Sequence, residues 1–252
     1  MKPEELRLNH LTWPEIAEGI ASGYRRVIIV LGATEQHGYH LAQATDEVIG
    51  MGLAVGLARR LGKTYVAPAI AFGLSEHHLK LPGTLSLRPE TLRMILEDVV
   101  AAYRSHGFDR FVFLPSHGGN MAFSSRMAET FQELYPSDRF VSPFDLETMI
   151  RLMATFETDH QLPRGSCGGH ACAFETSLML YLAPEMVQMD RAVPGYTGAL
   201  DEAFVKKMFQ EGITGVSEVG VIGDPARATR ALGEIFFDKT LEVIHRALEA
   251  GE

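Results

Sequence analysis

Val27-Ile28-Ile29-Val30-Leu31 is an unbroken apolar run, and four of its five residues are β-branched. A strand with one wet face would alternate apolar with polar. A continuous run instead fits a strand covered on both faces, as in a parallel sheet. Thr64–Ala69 and Phe111–Leu114 repeat the pattern. Between them lie segments with apolar residues at helical spacing. Asp46–Leu61 ends before Gly62, and Arg88–His106 stops at Gly107 with Pro89 in its first turn. Asn120–Tyr135, Glu175–Leu182 and Ala226–Ala250 complete the helices, with Asp224-Pro225 as the start signal of the last. Alternation of strand and helix predicts right-handed crossovers and a three-layer α/β/α fold around a mostly parallel central sheet. No repeat or linker-like stretch divides residues 1–252, so one domain is expected.

Composition narrows the function classes. The 252 residues are 46% hydrophobic and 22% charged, ordinary for a globular chain, and the net charge is −9. No Lys/Arg-rich face is present to neutralise phosphates, which excludes nucleic acid as the expected partner. The apolar runs are too short to span a bilayer, and the Met1-Lys2-Pro3-Glu4-Glu5 start lacks an apolar signal core. Cys167 and Cys172 are the only cysteines. They form no disulfide framework and match no common zinc knuckle, and they read as small buried residues. A cytoplasmic protein with a small-molecule substrate and no membrane partner is expected.

In a sheet of this kind ligands bind beyond the carboxyl ends of the strands. Glu35 and His37 follow the strand that ends at Leu31, and His117 follows the one that ends at Leu114. Both clusters therefore fall on one edge of the sheet. Glu35 and His37 are two apart, so their side chains share one side of an extended segment. Asp46 begins the next helix, after a loop long enough to fold back. Two carboxylates and an imidazole suit zinc or manganese, although Asp46 as a helix cap and Glu35 and His37 as solvated loop residues would explain the same letters. In Ser116-His117-Gly118-Gly119-Asn120 the glycines allow close backbone approach. A serine nucleophile is disfavoured there because the Gly-x-Ser-x-Gly elbow is absent, and His117 fits better as a metal ligand. His170 and Glu175 bracket a helix start. Glu175 serves either the helix dipole or a metal, with His170 beside it as a proton shuttle or as support for a ligand. In Glu76-His77-His78 adjacent histidines point apart, so at most one is expected to face a site. Gly220–Pro225 reads as a turn plus helix cap. Met149, Met153 and Phe156 read as core rather than interface.

Taken in order, Gly32–Asp46, Gly73–Thr84, Ser116–Asn120, Gly169–Ser177 and Gly220–Pro225 resemble the creatininase (creatinine amidohydrolase) family across nearly the whole chain. The resemblance implies a two-metal site in a creatininase-like fold, usually a homo-oligomer and specifically a hexamer. Carried over by position, Glu35 and His117 hold one metal. His37 and Glu175 hold the other, usually Zn2+, and Asp46 bridges the two. The first metal would be Mn2+, Fe2+ or Zn2+. His170 falls where the family places its catalytic histidine, and His78 matches a histidine common in that loop.

Departures bear on the substrate. Creatininase proper has a glutamate two residues after the histidine matching His117, where this chain has Gly119, which weakens the first metal. It also closes tryptophans over its substrate, one of them at the position of Ser166, whereas Trp13 is the only tryptophan here. Without those rings the grip on flat creatinine is lost. The His-Gly-Gly-Asn form looks instead like members that deformylate a pyrimidine intermediate, or that cleave a peptide precursor of a redox cofactor. The leading expectation is a metal-dependent amidohydrolase cleaving a non-peptide or cyclic amide C–N bond, such as a formamide. The alternatives are a peptidase acting on a cofactor-precursor peptide, a lactone hydrolase, and a non-catalytic metal-binding regulatory protein.

Overall fold

The computed structural model of the protein describes residues 5–251. Its sheet comprises β1 (Arg26–Leu31), β2 (Thr64–Val66), β3 (Arg110–Pro115) and β4 (Arg139–Val141), in the order β2-β1-β3-β4. Every pairing is parallel, with Arg26 opposite both Thr64 and Arg110 and Arg110 opposite Arg139. Val27 through Leu31 have no exposed surface, as a doubly covered strand requires.

The pleat sorts the side chains into two layers. Ile28, Val30, Val112 and Leu114 pack with α2 (Thr45–Leu61), α6 (Ala173–Leu182) and α8 (Arg230–Gly251). Val27, Ile29, Leu31, Phe111 and Phe113 pack on the other face with α3 (Pro89–Ser105) and α4 (Gly118–Leu134). The three-layer expectation is therefore met by alternate residues of the same strands.

Local differences have local causes. The strand expected over Thr64–Ala69 stops at Val66 because Pro68 has no N–H for the ladder. The chain nevertheless keeps following β1, with Ala67 N–H donating to Ile28 O (2.9 Å) and Ile70 N–H to Val30 O (3.0 Å). The last helix was expected from Ala226. Asp224 instead caps a single 3-10 turn, Pro225–Arg227, and α8 starts after Thr229, whose hydroxyl accepts from Leu232 N–H. Three helices go beyond the expected set. α1 (Trp13–Ala21) carries a Thr12/Glu15 capping box, while Asp145 and Asp201 cap α5 (Leu146–Asp159) and α7 (Glu202–Glu211). Among the described residues no helix is long and apolar enough to cross a membrane.

This order places a switch point between β1 and β3. The connection from β1 leads to β2 on one side and that from β3 leads to β4 on the other, so a crevice opens beyond their carboxyl ends. Close approach of α2 to the sheet there depends on Gly50, where a Cβ would lie 2.4 Å from Ser116 Oγ and 2.6 Å from Val30 Cγ1. Gly50→Val is expected to cost about 1–3 kcal/mol through overpacking. The measurement is urea unfolding. A lowered midpoint with an unchanged slope is expected, and an unaltered midpoint would contradict the packing argument.

Candidate metal centre

Asn120, fully buried at the start of α4, ties the strand ends together. Its amide nitrogen donates to Leu31 O (3.0 Å) and Gly32 O (2.9 Å), and its carbonyl accepts from Leu74 N–H (3.0 Å). Three chain segments therefore meet at one side chain, which explains the asparagine of the His-Gly-Gly-Asn motif. Glu35 and His37 follow from the first segment, His77 and His78 from the second and His117 from the third.

Backbone carbonyls fix the imidazoles. His37 Nδ1 donates to Glu35 O (3.1 Å), which turns Nε2 toward Asp46 Oδ1 (3.4 Å) and Glu175 Oε2 (3.9 Å). His117 Nε2 donates to Leu74 O (3.2 Å), and its Nδ1 faces Glu35 Oε1 (3.3 Å) and Asp46 Oδ2 (3.5 Å). Asp46 does not cap its helix, since the N-cap of α2 is Ala44. Glu35 and His37 are buried, not solvated. Glu175 enters on the first turn of α6, where its Oε2 accepts from Ala171 N–H. Ala171 itself has φ 51°, an uncommon conformation for a residue with a Cβ, in the turn that brings in His170 and Glu175.

Ligand atoms of Glu35, Asp46 and His117 lie within 4.8 Å of one another, as do those of His37, Asp46 and Glu175. Asp46 belongs to both groups, which is the geometry a bridging carboxylate needs. Glu35, His37 and His170 form a third group of the same closeness. Four facts fit divalent cations. The carboxylates are buried, at 0% exposure for Glu35, 2% for Asp46 and 9% for Glu175. Among the described residues, no lysine or arginine lines the cavity above them. Both oxygens of Glu35, Oδ2 of Asp46 and Nε2 of His37 lack hydrogen-bond partners. The donor set is oxygen and imidazole nitrogen, suited to zinc or manganese.

Without cations, protons carry the balancing charge. Burial opposes the imidazolium of His37, but Asp46, with Glu175 and Glu35, overrides it and raises the group to about 10. Burial likewise opposes His117, and Glu35 and Asp46 raise it to about 9. Burial lifts Glu175 to about 7, partly offset by His37. Burial also lifts Asp46. For Glu35 burial is outweighed by His117, and the carboxyl stays well below its ordinary range.

Several polar residues escaped the sequence reading. The Gln36 side chain uses every polar atom. Its nitrogen lies 2.8 Å from His78 Nδ1, 2.8 Å from His170 Nε2 and 3.0 Å from Gly220 O, and its Oε1 accepts from Gly38 N–H (3.0 Å). His170 Nε2 is also 2.7 Å from Gln36 O. A carbonyl only accepts, so His170 holds its proton on Nε2. The two amide hydrogens of Gln36 then go to His78 Nδ1 and Gly220 O. His170 Nδ1 keeps its lone pair and lies 3.5 Å from Glu35 Oε1, and burial holds the ring well below the usual imidazole range. The earlier clue was Gln36 lying between two candidate ligands. His40 is buried against Thr176 (2.9 Å) and pushed down to about 4 by burial and then by His37. No sequence pattern marked it.

One expectation is corrected. Both His77 and His78 line the cavity, because the 3-10 turn Glu76–His78 brings their rings within 4.2 Å at a tilt of 57°. Met149 packs against the core as expected and also lines the cavity with Met153, while Met153 and Phe156 are buried. Ser116 packs under Gly50 instead of facing an imidazole, consistent with the rejected serine chemistry.

The family profile of Creatininase (creatinine amidohydrolase) matches residues 9–248. The chain belongs to the creatininase family. It is 31% identical over 242 residues to the mycofactocin precursor peptide peptidase of Mycobacterium ulcerans, covering 92% of this chain and 83% of the relative. It is 30% identical over 199 residues to the creatinine amidohydrolase of Pseudomonas putida, covering 74% and 75%. Two solved creatininases, one a manganese form and one a Zn-Zn type mutant, superpose with a TM-score of 0.78 at 25% identity over 98% of both chains. Membership makes the protein a hydrolase. It departs from creatininase proper where the sequence indicated. A Cβ on Gly119 would meet Leu74 O at 2.4 Å and His117 Nε2 at 2.5 Å, so the backbone leaves no room for a glutamate there. Ser166 is buried, donating to Pro163 O, and Trp13 is exposed on α1.

Two outcomes follow. Cation uptake at pH 7 should expel the protons that His37 and His117 hold up to about 10 and about 9, and affinity should fall as pH drops. Titration calorimetry in two buffers of different ionisation enthalpy reads this, and zero proton release would contradict it. Gln36→Glu should lower activity by about 10–100-fold. It should also move the imidazole 15N signals of His78 and His170, and unmoved signals would sink the tautomer assignment.

Proposed function

We propose that this creatininase-family hydrolase is a two-metal amidohydrolase. The observation that carries the reading is Asp46, shared by two groups of buried ligand atoms each within 4.8 Å. Glu35 and His117 would hold one cation, His37 and Glu175 the other, with Asp46 between them. When bound, such cations supply Lewis-acid polarisation of an amide carbonyl and a nucleophile at neutral pH.

The chain's own contribution is proton handling and orientation. His170, its Nε2–H committed to Gln36 O, presents Nδ1 to the cavity as the atom that takes up a proton and passes it to the departing nitrogen. A low affinity for protons in the resting state suits that role, because the protonated ring is then a strong acid. Gln36 O holds Nε2–H and keeps the ring from turning its other nitrogen inward. The substrate of the first reading is a small non-peptide or cyclic amide, such as a formamide. A peptide amide is the second reading, favoured by the likeness to the Mycobacterium ulcerans peptidase over 92% of this chain.

The test is hydrolysis of formamides, cyclic amides and short peptides by chain loaded with Zn2+ or Mn2+. His170→Ala should lower kcat by about 10²–10⁴-fold with bound metal unchanged, whereas Asp46→Asn should lose both metals. A chain that binds neither cation, or an Asp46→Asn variant that keeps full metal content, would overturn the proposal.

A further inference from the structure

The cavity above the ligand groups, about 190 Å³, has a floor and walls of opposite character. Its floor is Asp46, Glu175 and the histidines. Its walls come from α5 and α7 and carry no charged side chain. On α5, Leu146, Met149, Ile150 and Met153 fall at i, i+3, i+4 and i+7, one continuous helical face. Its inner edge is shared with the core, since Met153 belongs to the layer that buries Leu152 and Phe156 and Met149 packs against that layer. From α7, Phe204, Val205 and Met208 complete the enclosure, with Phe204 anchored by stacking on Tyr196 at 4.8 Å.

The outer part of this lining is uncovered. Leu146 is 48% exposed, Ile150 41% and Val205 42%, although each lines the cavity. Three large aliphatic side chains facing solvent around one opening form an apolar rim of the kind that marks a binding site. The rim is continuous with the metal-ligand floor, so its natural occupant is the part of the substrate that flanks the reacting amide. Three methionines in the wall give a flexible, polarisable surface that adapts to chain shape. With no lysine or arginine in the lining, nothing there neutralises a phosphate or a free carboxylate.

We infer that the slot between α5 and α7 selects amides bearing an uncharged apolar group next to the scissile bond, an aliphatic chain or a hydrophobic side chain, and rejects phosphorylated or carboxylated ones. This inference rests on the amidohydrolase reading, and the experiment separates the two. Zinc-loaded protein with 13C-methyl methionine is titrated with straight-chain hydroxamates from acetohydroxamate to octanohydroxamate. Affinity should rise about fourfold per methylene over the first few additions. The methyl signals of Met149, Met153 and Met208, assigned by single Met→Leu substitutions, should shift. A hydroxamate of equal length ending in a carboxylate should gain nothing over acetohydroxamate. Flat affinity along the series, or tightening that moves none of the three signals, overturns the slot. Failure of acetohydroxamate itself overturns the metal reading instead. The slot is then decided by acetamide through octanamide on metal-free protein, where shifts in the same signals support it and their absence overturns it.

Discussion

Burying a carboxylate strips its hydration and costs several kcal/mol per ion even after relaxation. This chain buries Glu35, Asp46 and Glu175 around one point without a lysine or arginine beside them. Positive charge has to come from elsewhere, and the structure offers two sources: protons on His37 and His117, or divalent cations among the same atoms. The exchange of one for the other links acidity to metal content. It also accounts for the orphaned oxygens of Glu35, which no neighbouring hydrogen-bond donor satisfies.

Holding like charges together takes a rigid frame, and the parallel sheet supplies it. The ends of β1 and β3 diverge at the switch point, and Asn120 fastens the two loops and the segment after Gly73 to one another. Gln36 does the same for the proton-bearing side of the site, joining His78 and Gly220 through its side-chain amide and His170 through its backbone carbonyl. The glycines mark where backbone must come close. At Gly119 that closeness has a chemical consequence, since the space of a further carboxylate is filled by Leu74 O.

Above this polar floor the chain places helices whose apolar faces meet both the cavity and the core. On α5, Met153 is at once core and cavity wall, and Met149 lines the cavity while packing on the layer that holds Phe156. Thioethers and branched chains of α5 and α7 form the cavity wall, and Ser166 lies buried away from it.

The sequence alone determined the layers and marked the candidate ligands. Val27–Leu31 and Phe111–Leu114 show covered strands because a parallel sheet needs apolar residues on both faces, and Asp46–Leu61 and Arg88–His106 carry their own boundaries as glycine and proline. Glu35, His37, Asp46, His117, His170 and Glu175 were legible as candidates because carboxylates and imidazoles stand after strand ends or at helix starts, in an order that resembles one family. β4 was not, since three residues with one buried side chain hold no periodicity. Tertiary structure decided what depends on long-range approach. Asp46 ended in two groups of candidate ligand atoms and not as a helix cap, and His77 and His78 came to face one cavity. His40 was buried by α6, and Met149 lines the cavity as well as packing on the core. A helical period reports that a residue is apolar on one face, but only the packed chain determines whether that face meets another helix or a substrate.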